Sequence, residues 1–329
     1  MGDSPPRDPR IGSVLHGRYR VLEVLAEGGM GIVYRGERVG LARPVAIKFL
    51  HAAHAHLAGA RRRFEIEATA AGRMTHPNCA GVIDVGLDGD APYLVMELVA
   101  GRTLREVMLD APVAPARAVA LGRQVLAGLA HAHARGVVHR DVKPENVVVA
   151  ADPLGEHATL VDFGLAKVAG ASGSPALSLD MAIGTPSYMS PEQTLGLPVD
   201  ARSDVYAMGV LLFELLADRK PFAAATSFET MRLHREAPVP ELAEVAPERG
   251  VPVELEAVVR GALAKDPAAR YASAVELALA FDDALVAARE SLDDIPVADL
   301  LAAASRGAPW RALLALLALG IAVAMWANA

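Results

Sequence analysis

The sequence predicts an α+β chain of two unequal lobes, a small antiparallel sheet with one helix followed by a larger helical body. Three observations point there. β-type runs separated by glycine fill residues 19–99, helical spacing takes over from about Thr103, and no internal repeat or cysteine framework imposes another plan. At 329 residues the chain has room for one such two-lobed unit. Its apolar fraction rests on alanine and leucine rather than aromatics, which favours helices packed through small side chains. A net charge of −7 argues against a nucleic-acid partner. The lone cysteine, Cys79, excludes a disulfide framework and a cysteine zinc site within one chain, and suits a reducing compartment.

The elements follow in chain order. Residues 1–18, opening "MGDSPPRDPR", read as a flexible polar tail with no apolar stretch for a signal peptide. Gly2 follows Met1, but Pro6 stands where a myristoylation signal needs Ser or Thr. "YRVLEVLAE", "GIVYRGERV" and "RPVAIKFL" then give three antiparallel strands joined by tight turns. Arg61 to Met74 has helical spacing, and "CAGVIDVGLDGDAPYLVMELV" gives two further strands around the turn at Asp88 to Asp90. The small lobe so defined is 19–99 and the large lobe 100–285, with helices over Ala116 to Ala134 and Val205 to Leu216. "GASGSPALSLD", 170–180, reads as a mobile loop inside the large lobe. After a final helix, residues 286–310 read as a linker.

From Ala312 to Ala327, "ALLALLALGIAVAMWA" carries no charge, with Trp310 and Trp326 at its flanks and Arg306 and Arg311 before it. The run is slightly short of the roughly 20 residues of a membrane span, so a buried core helix is the competing reading. Its all-round apolar character, flanking tryptophans and preceding arginines favour a single-pass transmembrane helix over 311–327. The arginines place the large N-terminal portion in the cytoplasm, anchored to the cell inner membrane. If the chain ends at Ala329, the residues beyond the span are too few for a sensor domain.

The chemistry lies in an ordered set of motifs. "AEGGMGIV" is by itself a weak glycine turn, and Ala26 stands where a phosphate-cradling loop most often begins with glycine. Lys48 in "VAIK" follows on the third strand, then "HRDVKPEN" over 139–146 and "DFG" over 162–164. From about Tyr19 to Asp283 this set resembles the eukaryotic-type (Hanks-type) protein serine/threonine kinases, in their bacterial receptor-like branch.

That resemblance implies a two-lobed protein kinase fold, ATP and Mg²⁺ as cofactors, and protein substrates bearing Ser or Thr. It places Gly28, Gly29, Met30 and Gly31 over the ATP phosphates, and counts Ala26 and Glu27, where the turn is shaped, among the nucleotide-binding residues. Val33 and Ala46 lie above the adenine, with Val148 beneath it. Met96 lines the back of that pocket, and the backbone of Glu97 and Val99 bonds the adenine edge. Glu145 is counted with these nucleotide-binding residues. Lys48 holds the α- and β-phosphates, oriented by an acid on the following helix. "RRRFEIEATAAG" offers Glu65 and Glu67, and the family's R-F-x-x-E spacing selects Glu67. Asp141 accepts the acceptor hydroxyl's proton, Lys143 neutralises the transferred phosphoryl group, and Asn146 and Asp162 hold Mg²⁺.

Asp141-x-Lys143 with "GTPSYMSPE", 184–192, implies Ser or Thr as acceptor, with Thr185 shaping its floor. "SPE" replaces the more frequent "APE", a tolerable change. Glu192 is expected to pair with Arg270, while Asp204 and Gly209 belong to the helix supporting the catalytic loop. Arg140 before Asp141 implies an activation segment ordered by phosphorylation, with Ser172, Ser174, Ser178 and Thr185 as candidate autophosphorylation sites. "HAAHAH", 51–56, reads as a solvated loop rather than a metal site, for want of a third ligand at zinc-like spacing. His139 is a structural part of its motif, and His133 faces the same region. Family resemblance also implies a homodimer, through the small lobe or the anchor. The readings that compete are a pseudokinase acting as a nucleotide-binding scaffold, disfavoured by the complete catalytic set, and a small-molecule kinase, disfavoured by the full "GT…SPE" segment.

Overall fold

A computed structural model describes residues 8–28, 31–51, 68–153, 155–163 and 186–293. A six-stranded antiparallel sheet forms the small lobe: β1 (Val14–Leu15), β2 (Tyr19–Gly28), β3 (Gly31–Arg38), β4 (Arg43–Leu50), β5 (Val82–Asp88) and β6 (Ala91–Glu97). Their order is β1-β2-β3-β4-β6-β5. All five strands expected from glycine-punctuated runs are present. Of the helix expected over Arg61 to Met74, the described part is helical from Ala68 to Ala71, and Arg61 to Glu67 lie outside the described residues.

β4 shows how the period of two organises this lobe. Val45, Ile47 and Phe49 join an outer aromatic cluster with Tyr19, Tyr34 and Tyr93. The alternate residues Ala46 and Leu50 join the core shared with the large lobe. Both faces are buried from Val45 to Leu50, so this stretch reads as an unbroken apolar run except at Lys48.

The segment read as a flexible tail is folded from Asp8 onward, which corrects that expectation. Its backbone pairs with β2, Gly12 donating to the Val21 carbonyl and Val21 to that of Ser13, at 2.8 and 3.0 Å. The Arg10 guanidinium lies 4.6 Å over the Phe49 ring, Tyr34 donates its hydroxyl to Asp8, and the Tyr93 hydroxyl meets His16 Nδ1 at 3.0 Å. An outer sheet face rich in aromatic rings needs a cover, and this polar segment supplies one through cation–π and hydroxyl contacts. Composition alone conceals such a role.

The large lobe begins with α1 (Leu104–Asp110), started by a capping box between Thr103 and Glu106. It continues with α2 (Pro115–His133), α3 (Ala201–Ala217), α4 (Ser227–Glu236), α5 (Val253–Ala262) and α6 (Ala274–Asp293). From Ser203 to Ala217 every residue of α3 is buried, so this helix is the axis of the lobe. A Cβ on Gly209 would meet Ala262 at 2.9 Å and one on Gly122 would meet Leu212 at 2.9 Å, so glycine lets α5 and α2 approach α3 closely. α6 runs to Asp293, through the first residues of the segment read as linker. The rest of that linker, the loop at 170–180 and the apolar run at 311–327 lie outside the described residues.

A second sheet, β7 (Arg102–Thr103), β8 (Val147–Asp152) and β9 (Gly155–Leu160), stands in the lobe where the sequence pattern predicts only helices. The β-branched run Val147 to Val149 carried the signal. Its shortness and its place directly behind "HRDVKPEN" hid it.

Arg10→Ala is expected to lower the unfolding free energy by about 1 kcal/mol, through loss of the cation–π contact over Phe49. Urea midpoints of the two proteins at equal slope measure the difference.

Candidate active site

The glycine hairpin closes where Gly28 of β2 pairs with Gly31 of β3. Ala26 sits opposite Val33 within the strand and outside the positive-φ residues, so its methyl is carried without backbone strain. Gly31 is demanded by the sheet itself, since a Cβ there would lie 2.0 Å from the Phe49 carbonyl oxygen. At Gly28 nothing among the described residues lies within 4 Å of that position, leaving room above the cleft. Glu27 is exposed opposite Ile32. Gly29 and Met30 lie outside the described residues.

Behind the hairpin, Ala46 of β4 faces Met96 of β6 across the ladder, both buried, and Val33 packs against the same core. Glu97 ends β6 and turns its carboxylate to the Gly81 N–H and Arg43, each at 3.2 Å. Val99 follows in the irregular connection between the lobes. Val148 of β8 pairs with Thr103 from below. Gly101, at φ 148°, permits that approach, because a Cβ would meet the Val149 carbonyl at 2.5 Å. Val33, Ala46 and Met96 thus share one core, while Val148 lies in the second sheet beside Thr103.

Lys48 is nearly buried, and its ammonium pairs directly with Asp162. Asp162 adopts φ 58°, a left-handed conformation that a non-glycine residue holds only when its surroundings impose it. Arg140, at φ 63°, is a second such residue, and its support is visible. The fully buried Asp204 of α3 accepts the backbone N–H of His139 and of Arg140, both at 2.7 Å, and meets His133 Nε2 at 2.8 Å. A carboxylate can only accept, so Nε2 of His133 carries a proton toward it, while the buried Nδ1 has no hydrogen-bond partner among the described residues. Burial holds the pKa of His139 below its usual value. Its neutral ring fits between the Asp141 N–H, 3.3 Å from Nδ1, and the Val161 carbonyl, 3.1 Å from Nε2.

On this frame the reactive groups meet. Lys143 Nζ lies 2.8 Å from Asp141 Oδ2, and Asn146 Nδ2 lies 3.0 Å from the same oxygen and 2.8 Å from the Asp141 carbonyl. Burial disfavours the Lys143 ammonium, but the charge and hydrogen bond of Asp141 outweigh it and raise its pKa. Asn146 spends its nitrogen on Asp141, so its amide oxygen is the atom left for a cation. Among the described residues, Asp162 likewise keeps one carboxylate oxygen beyond the Lys48 pair. These are hard oxygen donors and fit a magnesium ion.

Several contacts around the acceptor side were not foreseen. Arg105 of α1 reaches Glu145 at 2.9 Å, Glu214 of α3 at 3.0 Å and the Tyr188 hydroxyl at 2.5 Å, and Tyr188 in turn donates to Glu214. The Glu145 carboxylate, expected among the nucleotide-binding groups, is therefore directed to α1. Ser190 does more than substitute for alanine. It caps the short helix Pro191–Thr194 in a box with Gln193, whose side-chain amide donates to the Arg140 carbonyl at 2.9 Å. The S-x-x-Q spacing of "SPEQ" carried that signal; nothing in the sequence links Arg105 to its distant partners. Glu192 and Arg270 form the expected bidentate pair at 2.8 Å on both arms, and Ser203 also donates to Glu192. Glu67, Gly164, Ser172, Ser174, Ser178 and Thr185 lie outside the described residues.

Residues 19–280 match the family described as protein kinase domain. The chain is 42% identical over 280 residues to the serine/threonine-protein kinase pkn2 of Myxococcus xanthus, covering 85% of this chain and 33% of that protein. It is 41% identical over 278 residues to the serine/threonine-protein kinase PknL of Mycobacterium tuberculosis, covering 84% and 68%. The crystal structure of the Mycobacterium tuberculosis PknI kinase domain superposes with a TM-score of 0.64 at 30% identity, covering 83% of this chain and 98% of that one. The chain therefore spans a third of the first of these proteins and about two thirds of the second.

Asp204→Asn keeps the shape but turns one accepting oxygen into a donor against a backbone N–H. It is expected to cost about 2 kcal/mol of stability and to raise amide exchange at His139 and Arg140, read by hydrogen exchange. Burial opposes the Glu192 carboxylate, yet the Arg270 and Ser203 bonds prevail and hold its pKa down at about 2, against an ordinary 4.5. The stability this supplies is complete above pH 4.5 and is lost as pH falls from there toward 2. Glu192→Gln should flatten that part of the acid-unfolding profile.

Proposed function

This chain belongs to the protein kinase family, and we propose that it transfers the γ-phosphoryl group of ATP to serine or threonine hydroxyls of proteins. The observation that carries the reading is the Asp141 cluster, one carboxylate held by Lys143 and Asn146 on a loop braced by Asp204. Serine/threonine-protein kinases from two bacterial genera match most of the chain, which supports the same activity.

The roles follow from the chemistry. Lys143 and Asn146 fix the Asp141 carboxylate by its Oδ2, so that it orients the acceptor hydroxyl and takes up its proton. Lys143 keeps its charge near the transferred group, since its raised pKa holds it protonated. Lys48, an ammonium with a carboxylate partner in a nearly dry setting, suits the α- and β-phosphates. The apolar walls at Val33, Ala46, Met96 and Val148 suit a purine between the lobes. Asn146 and Asp162 would hold Mg²⁺, which bridges and neutralises phosphate oxygens when bound.

Three further proposals rest on the sequence. The apolar run at 311–327 anchors the chain in the inner membrane; among the described residues no helix is long and apolar enough to cross one. The activation segment is autophosphorylated, with Ser172, Ser174, Ser178 and Thr185 as candidates beside Arg140. Family resemblance suggests a homodimer.

Asp141→Asn should reduce transfer to a generic protein acceptor by at least about a hundredfold while leaving ATP binding within about twofold. Label from γ-labelled ATP, read beside ATP titration, checks both. Equal label in the two proteins would favour the scaffold reading.

A further inference from the structure

Of the histidine-rich stretch "HAAHAH", the first histidine has a specific partner. His51 follows β4 directly, three positions after Lys48, and its Nε2 lies 2.9 Å from the Gly28 carbonyl oxygen at the end of β2. In the sheet β2 and β4 are separated by β3. The His51 side chain and its bond therefore link the end of β4 to the far strand of the hairpin, past β3.

It does so where the backbone ladder ends. The last β2–β3 pair is Gly28 with Gly31, and the last β3–β4 pair is Gly31 with Leu50. Beyond these pairs no further rung among the described residues restrains the hairpin. Glycine at both positions leaves these two strand ends more backbone freedom than other residues would. The approach of β3 to β4 is fixed tightly, by the missing Cβ of Gly31 against the Phe49 carbonyl. Among the described residues, His51 supplies the corresponding constraint on the β2 end. A carbonyl only accepts, so Nε2 of His51 bears the proton, which holds for one neutral tautomer and for the imidazolium alike.

We propose that His51 is a positioning residue for nucleotide binding, a staple that sets the height of the glycine hairpin over the strand carrying Lys48. The inference rests on the assignment of this hairpin as the cover of the ATP phosphates. Because one strand end carries both Lys48 and the staple, the ammonium and the hairpin backbone are held in one frame. The bond to Gly28 restrains the end of β2 itself, so it acts by limiting the positions the hairpin samples.

The test compares wild type, His51→Ala and His51→Gln, whose amide nitrogen can occupy the place of Nε2. KM for ATP, kcat and the ATP dissociation constant by calorimetry are measured for each, with melting temperature as a check on folding. His51→Ala is expected to raise KM and the dissociation constant about three- to tenfold with kcat within about twofold, and His51→Gln to restore most of the loss. Unchanged nucleotide affinity in His51→Ala would overturn the staple, as would a folded His51→Gln no better than His51→Ala. A wild type that binds ATP without transferring phosphate would overturn the proposed activity instead, and the calorimetric comparison would still decide the staple.

Discussion

A single buried carboxylate organises the catalytic half of this protein. Asp204 is fully buried on the central helix α3, and a lone anion there would be heavily penalised. It is satisfied by the N–H groups of His139 and Arg140 together with His133. The satisfaction is mutual, because a loop turning through φ 63° at Arg140 cannot pair those N–H groups within a helix or a strand. The strain of the turn and the charge of the aspartate thus compensate each other. Asp141 follows directly, and its position is inherited from α3 rather than from the loop.

The same logic extends outward. Gln193 bonds the Arg140 carbonyl from the short helix whose Glu192 grips Arg270, so the acceptor side and the catalytic loop share one frame. Arg105 adds a connection to α1, just beyond the link between the lobes. Each contact joins residues far apart in sequence, and each is a charged or amide group needing a definite partner. The large lobe is therefore stiff around its polar groups, while its apolar helices supply the bulk.

What the sequence revealed depended on the range of the interaction. Strands β2 to β6 were legible because alternation and glycine turns are local signals. Lys48, Asp141, Asn146 and Asp162 were legible because their motifs have fixed internal spacing and occur in order. The short sheet β7–β9 was missed although Val147 to Val149 announced it, since the neighbouring motif pointed to loops. Asp8 and Arg10 looked like a solvated tail because their partners, Tyr34 and Phe49, are defined only once the sheet exists. Arg105 was illegible for the same reason: nothing within a few residues needs its charge. Ser190 looked like a tolerated substitution until Gln193 gave its hydroxyl a function.

The Lys48–Asp162 pair joins the two lobes. Lys48 is the one charged residue between Val45 and Leu50, on a stretch buried on both faces, and its ammonium requires an anion. Asp162 meets that need from the large lobe, held in a left-handed conformation whose cost is accepted only where the surroundings fix it. The pair therefore ties the inner face of the small-lobe sheet to the loop beside Asn146, whose carbonyl accepts the Val161 N–H at 2.9 Å. Through that bond the position of Lys48 is coupled to Asn146 and so to Asp141. Cation, carboxylates and amide are placed by one connected set of contacts running from β4 to α3, which is why the site retains its order although its residues come from both lobes.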